Sequence, residues 1–359
     1  MTSKTHRIAV IPGDGIGPEV VREGLRVLER VAAREGFRVE LTRYPFGAEH
    51  YLKTKEIFPD AAFAEVRSHN AILLGAIGDP RIEVGLLEFG IIAKMRFELD
   101  LYVNLRPVKL YAEHLCPLKD KRPEHVDFIV VRENTEDAYA GMRGFFRKGT
   151  PDEVATQEII FTRKGTERVI RYAFDLARSR GKAKKLTMVD KANAVRAMDL
   201  WTRTFAEVGA EYPDIKRDHQ YIDAACMYVV KTPENYDVVV TSNMFGDIFT
   251  DLSAMIQGGL GVAASGNIHP GRVSLFEPIH GSAPSHAGKN VASPIATVMA
   301  VQMMLEYLGE ARGARQVEQA VARLLQSKRL PSVGTDSGIP TNKVTDLILE
   351  ELERAEVPA

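Results

Sequence analysis

Short apolar runs along this chain end, one after another, in turns rich in glycine or polar residues. Residues 7–11 run into Pro12-Gly13-Asp14-Gly15-Ile16-Gly17-Pro18, and residues 71–75 into Ala76-Ile77-Gly78-Asp79-Pro80. Residues 127–132 run into Glu133-Asn134-Thr135-Glu136, and residues 186–189 into Asp190-Lys191-Ala192-Asn193. Helical patterns alternate with these strand patterns. Val21, Leu25, Leu28 and Val31 stand close to helical spacing, with Gly36 as a stop. Residues 166–180 read as a helix closed by Gly181, and 294–308, 317–325 and 344–352 read as further helices. Alternation of this kind predicts an α/β architecture. Ligands of open α/β sheets bind outside the carboxyl ends of the strands, so the turns predict one cleft fed by many loops.

A chain of 359 residues is longer than one ordinary domain, so two are expected. The formal net charge of −1 gives no overall electrostatic footprint for nucleic acid or an anionic membrane. No apolar stretch reaches the roughly 18 residues of a membrane span. The first residues run straight into a strand pattern without a signal-peptide core, and Cys116 and Cys226 have neither metal-ligand nor redox spacing. A cytoplasmic protein is expected.

The chemistry is concentrated in a few stretches. In Asp237-Val-Val-Val-Thr-Ser-Asn-Met-Phe-Gly-Asp-Ile-Phe-Thr-Asp251, an apolar run is followed by Asp247 and Asp251 four residues apart. On a helix both carboxylates share one face and could hold a hard divalent cation; a solvated helix face is the commoner use of such a pair. Asp223 lies in an apolar stretch, where a carboxylate is expected to be buried and to pair or bind metal, making it a third candidate ligand. Arg96, Arg106 and Arg132 lie among apolar residues near loop ends, which suits bidentate binding of carboxylates; each alone could be a structural ion pair. Lys191, just after a strand, could act as a base, and Tyr139 could donate a proton or simply pack. Residues 276–284, Phe-Glu-Pro-Ile-His-Gly-Ser-Ala-Pro, form a loop rich in turn residues and exposed donors. It could fold around a cofactor or be an ordinary compact loop. Gly13-x-Gly15-x-Gly17 places its third glycine one residue early for the dinucleotide fingerprint. Residues 140–165 could form a protruding β-arm that gains from pairing with a partner subunit.

The motifs I-P-G-D-G-I-G-P-E-V, N-L-R-P-V, V-V-R-E-N-T-E, D-K-A-N, Y-I-D, S-N-M-F-G-D-I-F-T-D and F-E-P-I-H-G-S-A-P occur in that order. Together they resemble the β-decarboxylating dehydrogenases of hydroxy acids, the isocitrate/isopropylmalate dehydrogenase family, across essentially the whole chain. The resemblance implies a two-domain α/β fold with a large mixed sheet flanked by helices, unlike the usual Rossmann fold. Residues 1–105 plus 258–359 would form the cofactor-binding domain. Residues 106–257 would form the substrate, metal and dimerisation domain. It further implies a homodimer with shared active sites. Arg96, Arg106 and Arg132 would hold malate carboxylates. Asp223 from the neighbouring subunit would join Asp247 and Asp251 around Mg²⁺ or Mn²⁺. Lys191, also from the neighbour, would take the hydroxyl proton, and Tyr139 would protonate the enolate carbon. The resemblance places Ile11, Gly75, Ala76, Asn193, Glu277, His280, Gly281, Ser282, Ala283, Pro284, Ser285, His286 and Ser293 at the cofactor.

Substrate choice is expected to lie in residues 88–95, Glu-Phe-Gly-Ile-Ile-Ala-Lys-Met. Similar isocitrate enzymes place serine and asparagine where this chain has Gly90 and Ile92, and residues 82–95 contain no arginine. An apolar wall cannot solvate a charged substituent, so 3-isopropylmalate leads, with Ile92 and Ala93 facing its side chain. The expected reaction is its oxidative decarboxylation in leucine biosynthesis. Tartrate/D-malate oxidation is the alternative, because residues 160–180 look more like those enzymes. Ala93 and Ala194 also leave room for a bulkier 3-substituted malate. Non-catalytic members of the family lose a metal aspartate, the lysine or the tyrosine, and none is lost here. The cofactor loop departs from pattern: Ser285-His286 stands where NAD-preferring enzymes carry Asp-Ile, and Ser293 replaces an asparagine. NAD is expected, with NADP left open.

Overall fold

The computed structural model describes Lys4–Arg354. In chain order the strands are β1 (Thr5–Gly13), β2 (Arg38–Arg43), β3 (Ala71–Ala76), β4 (Val103–Lys109), β5 (Asp127–Glu133) and β6 (Arg143–Phe146). They continue with β7 (Val154–Gln157), β8 (Lys185–Asp190), β9 (Lys216–Tyr221), β10 (Val238–Thr241), β11 (Ala264–Ile268) and β12 (Ser274–Pro278). The helices are α1 (Gly17–Glu35), α2 (Ala48–Thr54), α3 (Asp60–Arg67), α4 (Lys94–Glu98), α5 (Arg163–Arg180) and α6 (Asp199–Gly209). They continue with α7 (Ile222–Lys231), α8 (Asn243–Ile256), α9 (Ile295–Tyr307), α10 (Ala311–Gln326) and α11 (Thr341–Arg354).

The chain packs into two compact units. The first takes the described residues of Met1–Leu101, Lys109–Pro123 and Ala254–Ala359; the second takes Tyr102–Val108 and Glu124–Ser253. Strands of the first unit lie in the order β2-β1-β3-β12-β11. β1 pairs in parallel with β2 and β3, β12 pairs in parallel with β3, and β11 with β12 is antiparallel, so the sheet is mixed. Ile8–Ile11 and Ile72–Leu74 are fully buried, as expected of parallel strands covered on both faces. Helix α1 begins with a proline in its first turn and ends at Gly36 in the left-handed region, φ 77°. Its buried face carries Val20, Val21, Leu25, Leu28 and Val31.

Strands of the second unit lie in the order β4-β5-β10-β8-β9. β10 pairs in parallel with β5 and β8, and β8 pairs in parallel with β9. Val238–Val240 are fully buried at the centre, whereas the edge strand β9 reads Lys-Arg-Asp-His-Gln-Tyr. Charge on an edge strand discourages pairing with another sheet. Apart from this sheet, β6 and β7 form an antiparallel ribbon whose Phe145, Phe146 and Val154 side chains stand exposed. Among the described residues no helix is long and apolar enough to cross a membrane.

Candidate active site

In the second unit, the carboxyl end of β5 and the start of α8 assemble a cluster of opposite charges. Arg132 is 1% exposed. It donates from Nη1 to Asp247 Oδ1 at 2.6 Å, from Nε to the Asn243 carbonyl at 2.8 Å and from Nη2 to Asn243 Oδ1 at 2.7 Å. Gly246 makes this possible, because a Cβ there would collide with the Arg132 stem. Arg106, on β4, is also buried. It donates to Asn104 Oδ1 and Thr250 Oγ1, both at 2.6 Å, to Asp247 Oδ1 at 3.2 Å and to Asp251 Oδ1 at 3.3 Å. Tyr139 donates its hydroxyl to Asp247 Oδ2 at 3.1 Å, with the Arg132 guanidinium 5.7 Å from its ring centre.

Asp247 and Asp251 lie one helical turn apart on α8, so their carboxylates share a face. Loss of hydration pushes the Asp251 carboxyl above the ordinary carboxylate range; Arg106 opposes the rise and the neighbouring Asp247 charge adds to it. Two arginines and two aspartates balance to zero. A dianionic malate entering with a divalent cation would preserve that balance, and the oxygen donors suit a hard cation. The donor set therefore fits Mg²⁺ or Mn²⁺.

Lys191 and Asp223 form a separate pair, Nζ to Oδ1 2.6 Å. The apolar surroundings of Asp223 in sequence suggest burial, and the structure corrects this: its side chain is 64% exposed. Helix α7 buries Ala225 and Val229 and leaves Asp223 outward in its first turn. Lys191 holds the Asp223 carboxyl below the usual carboxylate range. Among the described residues, no three His, Cys, Asp or Glu side chains converge as a metal site. Asp223 thus does not join Asp247 and Asp251 within one chain. Asn193, in the turn after β8, is exposed.

In the first unit, the glycine cluster after β1 fits against the 276–293 segment. Gly13 and Gly15 have φ of 72° and 57°. A Cβ on Gly15 would overlap the Ser282 carbonyl, and one on Gly13 the Ala76 carbonyl. The Ile16 amide donates to the Ser282 carbonyl at 2.8 Å and the Asp14 amide to the Ala76 carbonyl at 2.6 Å. Asp14, buried, accepts from the Ala48 amide at 2.6 Å and the Gly78 amide at 2.9 Å. Burial pushes its carboxyl up, against those two hydrogen bonds. Glu19, in the first turn of α1, accepts from the Gly288 and Asn290 amides. Neither Asp14 nor Glu19 stands out in the sequence as a site residue. Their signal is an acid beside a glycine turn and an acid at a helix start, both common elsewhere.

Ile11 is fully buried in the core, and a Cβ on Gly75 would meet the Pro12 carbonyl, so these two positions offer backbone rather than side chain. Ala76 ends β3, also buried. Glu277 is buried on β12 and accepts from Asn267 Nδ2 at 2.7 Å and Arg96 Nη2 at 3.2 Å. Arg96 Nε is buried and has no partner among the described residues. His280 is partly exposed, but its Nε2 is buried and has no partner among the described residues, and burial pushes its pKa down. Ala283, at φ 41°, leads into a 3₁₀ turn over Pro284, Ser285 and His286, with Ser285 exposed. Ser293 donates to the Gly261 carbonyl at 3.3 Å. Gly281, Ser282, Pro284 and Ser285 line a cavity of about 550 Å³ with Gly78, Asp79 and Glu88.

Residues Glu88–Ala93 form a π-helical segment that runs into α4. Ile92, Ala93 and Arg96 are all partly exposed. A Cβ at Gly90 would crowd the Ile57 side chain. Ile92 also packs against the core of the first unit.

A sequence profile described as isocitrate/isopropylmalate dehydrogenase matches residues 7–348. The chain is 53% identical over 331 residues to a 3-isopropylmalate dehydrogenase from Thermobifida fusca, covering 91% of this chain and 93% of that protein. It is 48% identical over 353 residues to a 3-isopropylmalate dehydrogenase from Corynebacterium glutamicum, covering 97% and 99%. The crystal structure of isocitrate dehydrogenase from Methylococcus capsulatus superposes with a TM-score of 0.88 at 37% identity, covering 97% of this chain and 99% of that one. The chain belongs to the isocitrate/isopropylmalate dehydrogenase family.

Proposed function

We propose that this chain catalyses the NAD-dependent oxidative decarboxylation of 3-isopropylmalate to 4-methyl-2-oxopentanoate, a step of leucine biosynthesis, with Mg²⁺ or Mn²⁺. The observation that carries this reading is its similarity, over nearly the whole chain, to dehydrogenases named for that substrate. The apolar side chains of Ile92 and Ala93, both partly exposed, support it, since neither offers a partner to a third carboxylate. Two partly buried free thiols suit the reducing cytoplasm we propose for it.

Arg106 and Arg132 bind and orient the malate carboxylates, exchanging part of their present pairing with Asp247 for bidentate contacts. Arg96, partly exposed and paired with Glu277, is the third guanidinium we assign to the carboxylates. Asp247 and Asp251 hold the cation, with Asp223 of a second copy. When bound, NAD supplies the hydride acceptor and the cation supplies Lewis acidity toward the 2-oxo acid. Lys191 takes the proton from the substrate hydroxyl, and Tyr139 returns a proton to the carbon that has lost CO₂. The segments around Ile11, Gly75, Ala76, Asn193, Glu277 and 280–293 are proposed for the cofactor.

A homodimer with shared sites accounts for the separation of Lys191 and Asp223 from the Asp247 cluster. Met227 on α7 and Ile248 on α8 are each more than half exposed, apolar side chains that suit contact with a second copy. Measuring kcat/KM for 3-isopropylmalate, D-malate and isocitrate with NAD and NADP tests the reading. Preference for 3-isopropylmalate with NAD is expected. Equal turnover of D-malate would overturn the substrate assignment, and preference for NADP the cofactor assignment.

A further inference from the structure

Asp137 takes no part in the chemistry above, yet it is 1% exposed and lies two residues before Tyr139. Its φ of 72° places it in the left-handed region, which few residues other than glycine adopt without strain. Both carboxylate oxygens are engaged. Oδ1 accepts from the Ala138 amide at 2.8 Å, and Oδ2 accepts from the Met244 amide at 2.9 Å. Met244 is in the first turn of α8, whose amides have no partner within the helix and favour a negative group. The same helix carries Asp247, the acceptor of the Tyr139 hydroxyl. Beside it, Asn243 donates from Nδ2 to the Glu136 carbonyl at 3.3 Å while its Oδ1 accepts from Arg132. The backbone amide of Asp137 donates to the Ile160 carbonyl at 2.9 Å, so the turn is held from a second side.

We propose that Asp137 is a positioning residue: it clamps the Tyr139 turn to the first turn of α8 and so fixes the phenol against Asp247. A residue kept in the left-handed region, with its carboxylate spent on two backbone amides, is over-determined by its surroundings, and here those surroundings are the first turn of α8 and the Ala138 and Ile160 backbone beside Tyr139. The proposal rests on the reading of Tyr139 as the proton donor.

The test compares Asp137→Gly, Asp137→Asn, Tyr139→Phe and the double variant Asp137→Gly/Tyr139→Phe in steady-state turnover of 3-isopropylmalate, with thermal melts of each. Glycine accepts the positive φ, so Asp137→Gly removes the clamp while easing the backbone. It is expected to lower kcat about 10- to 100-fold with KM little changed, the scale of a small misplacement of a reacting group. Asp137→Asn keeps one acceptor and tolerates the conformation, so it is expected to fall between Asp137→Gly and wild type. The double variant is expected to be no slower than Tyr139→Phe alone, because both changes remove one function. Wild-type kcat in Asp137→Gly, or losses that multiply in the double variant, would overturn the proposal. Wild-type kcat in Tyr139→Phe would instead overturn the reading of Tyr139 on which it rests.

Discussion

The Arg132–Asp247 cluster and the Lys191–Asp223 pair both join a cation to a carboxylate, but they are built differently. Arg132 is sealed under α8, and every nitrogen of its guanidinium has a partner in the second unit. Asp223 stands 64% exposed and Lys191 25%. A buried charge must be paired and hydrogen-bonded to be tolerated. An exposed pair contributes little to stability. The first arrangement is therefore bound up with the fold. The second is held by little besides itself, as expected of groups that complete a site on a neighbouring copy.

Substitutions can break that contrast. Arg132→Ala should show the largest effect. It removes the guanidinium nearer to Asp247, leaving that carboxylate to Arg106 and Tyr139, and takes the donors from Asn243, so it should cost about 3 kcal/mol of stability together with substrate binding, read by denaturant unfolding and KM. Lys191→Ala should leave unfolding unchanged within about 0.5 kcal/mol while lowering kcat by about 10²–10⁴-fold. If Lys191→Ala unfolds as readily as Arg132→Ala, the contrast is wrong.

A smaller effect probes the buried side of the comparison by pH. Burial pushes the Glu133 carboxyl up to about 7 from 4.5, against hydrogen bonds from Thr135 and the Glu136 amide. A raised carboxyl pKa in the fold means its favourable contribution is complete below pH 4.5 and is lost as pH rises through 7. Glu133→Gln should remove that slope, so the stability difference between variant and wild type should change between pH 4.5 and 7 and level off above. A pH-independent difference would show that Glu133 titrates normally.

Central strands were readable because burial on both faces demands apolar runs: β1, β3, β5, β8 and β10 all announce themselves. The edge strands did not. β2 and β9 carry Arg, Glu, Lys and Asp at the sheet margin, a pattern without apolar signal. β11 and β12 were hidden because Ser265, Asn267 and Glu277 satisfy one another inside the sheet. In the candidate site, the residue types and the strand-end positions of Arg106, Arg132, Tyr139, Asp247 and Asp251 were visible in the motifs, and the structure brings those five together. Gly246 and Asp137 were not visible. One is small because an arginine stem lies against it, and the other is acidic because a helix start needs an acceptor; neither cause is local in sequence. Asp223 misled because apolar neighbours do not guarantee burial: α7 buries Ala225 and Val229, while Met227, one turn beyond Asp223, is exposed as well.

The central claim is that Lys191 and Asp223 serve the Asp247 cluster of a second copy, and mixed dimers test it most directly. Tyr139→Phe and Lys191→Ala chains, each impaired alone, are co-expressed in equal amounts. A dimer containing one of each has one site with both defects and one intact, so the mixture should recover about one quarter of wild-type activity if sites are shared. Activity no greater than the average of the two impaired parents would place each site within a single chain and contradict the account.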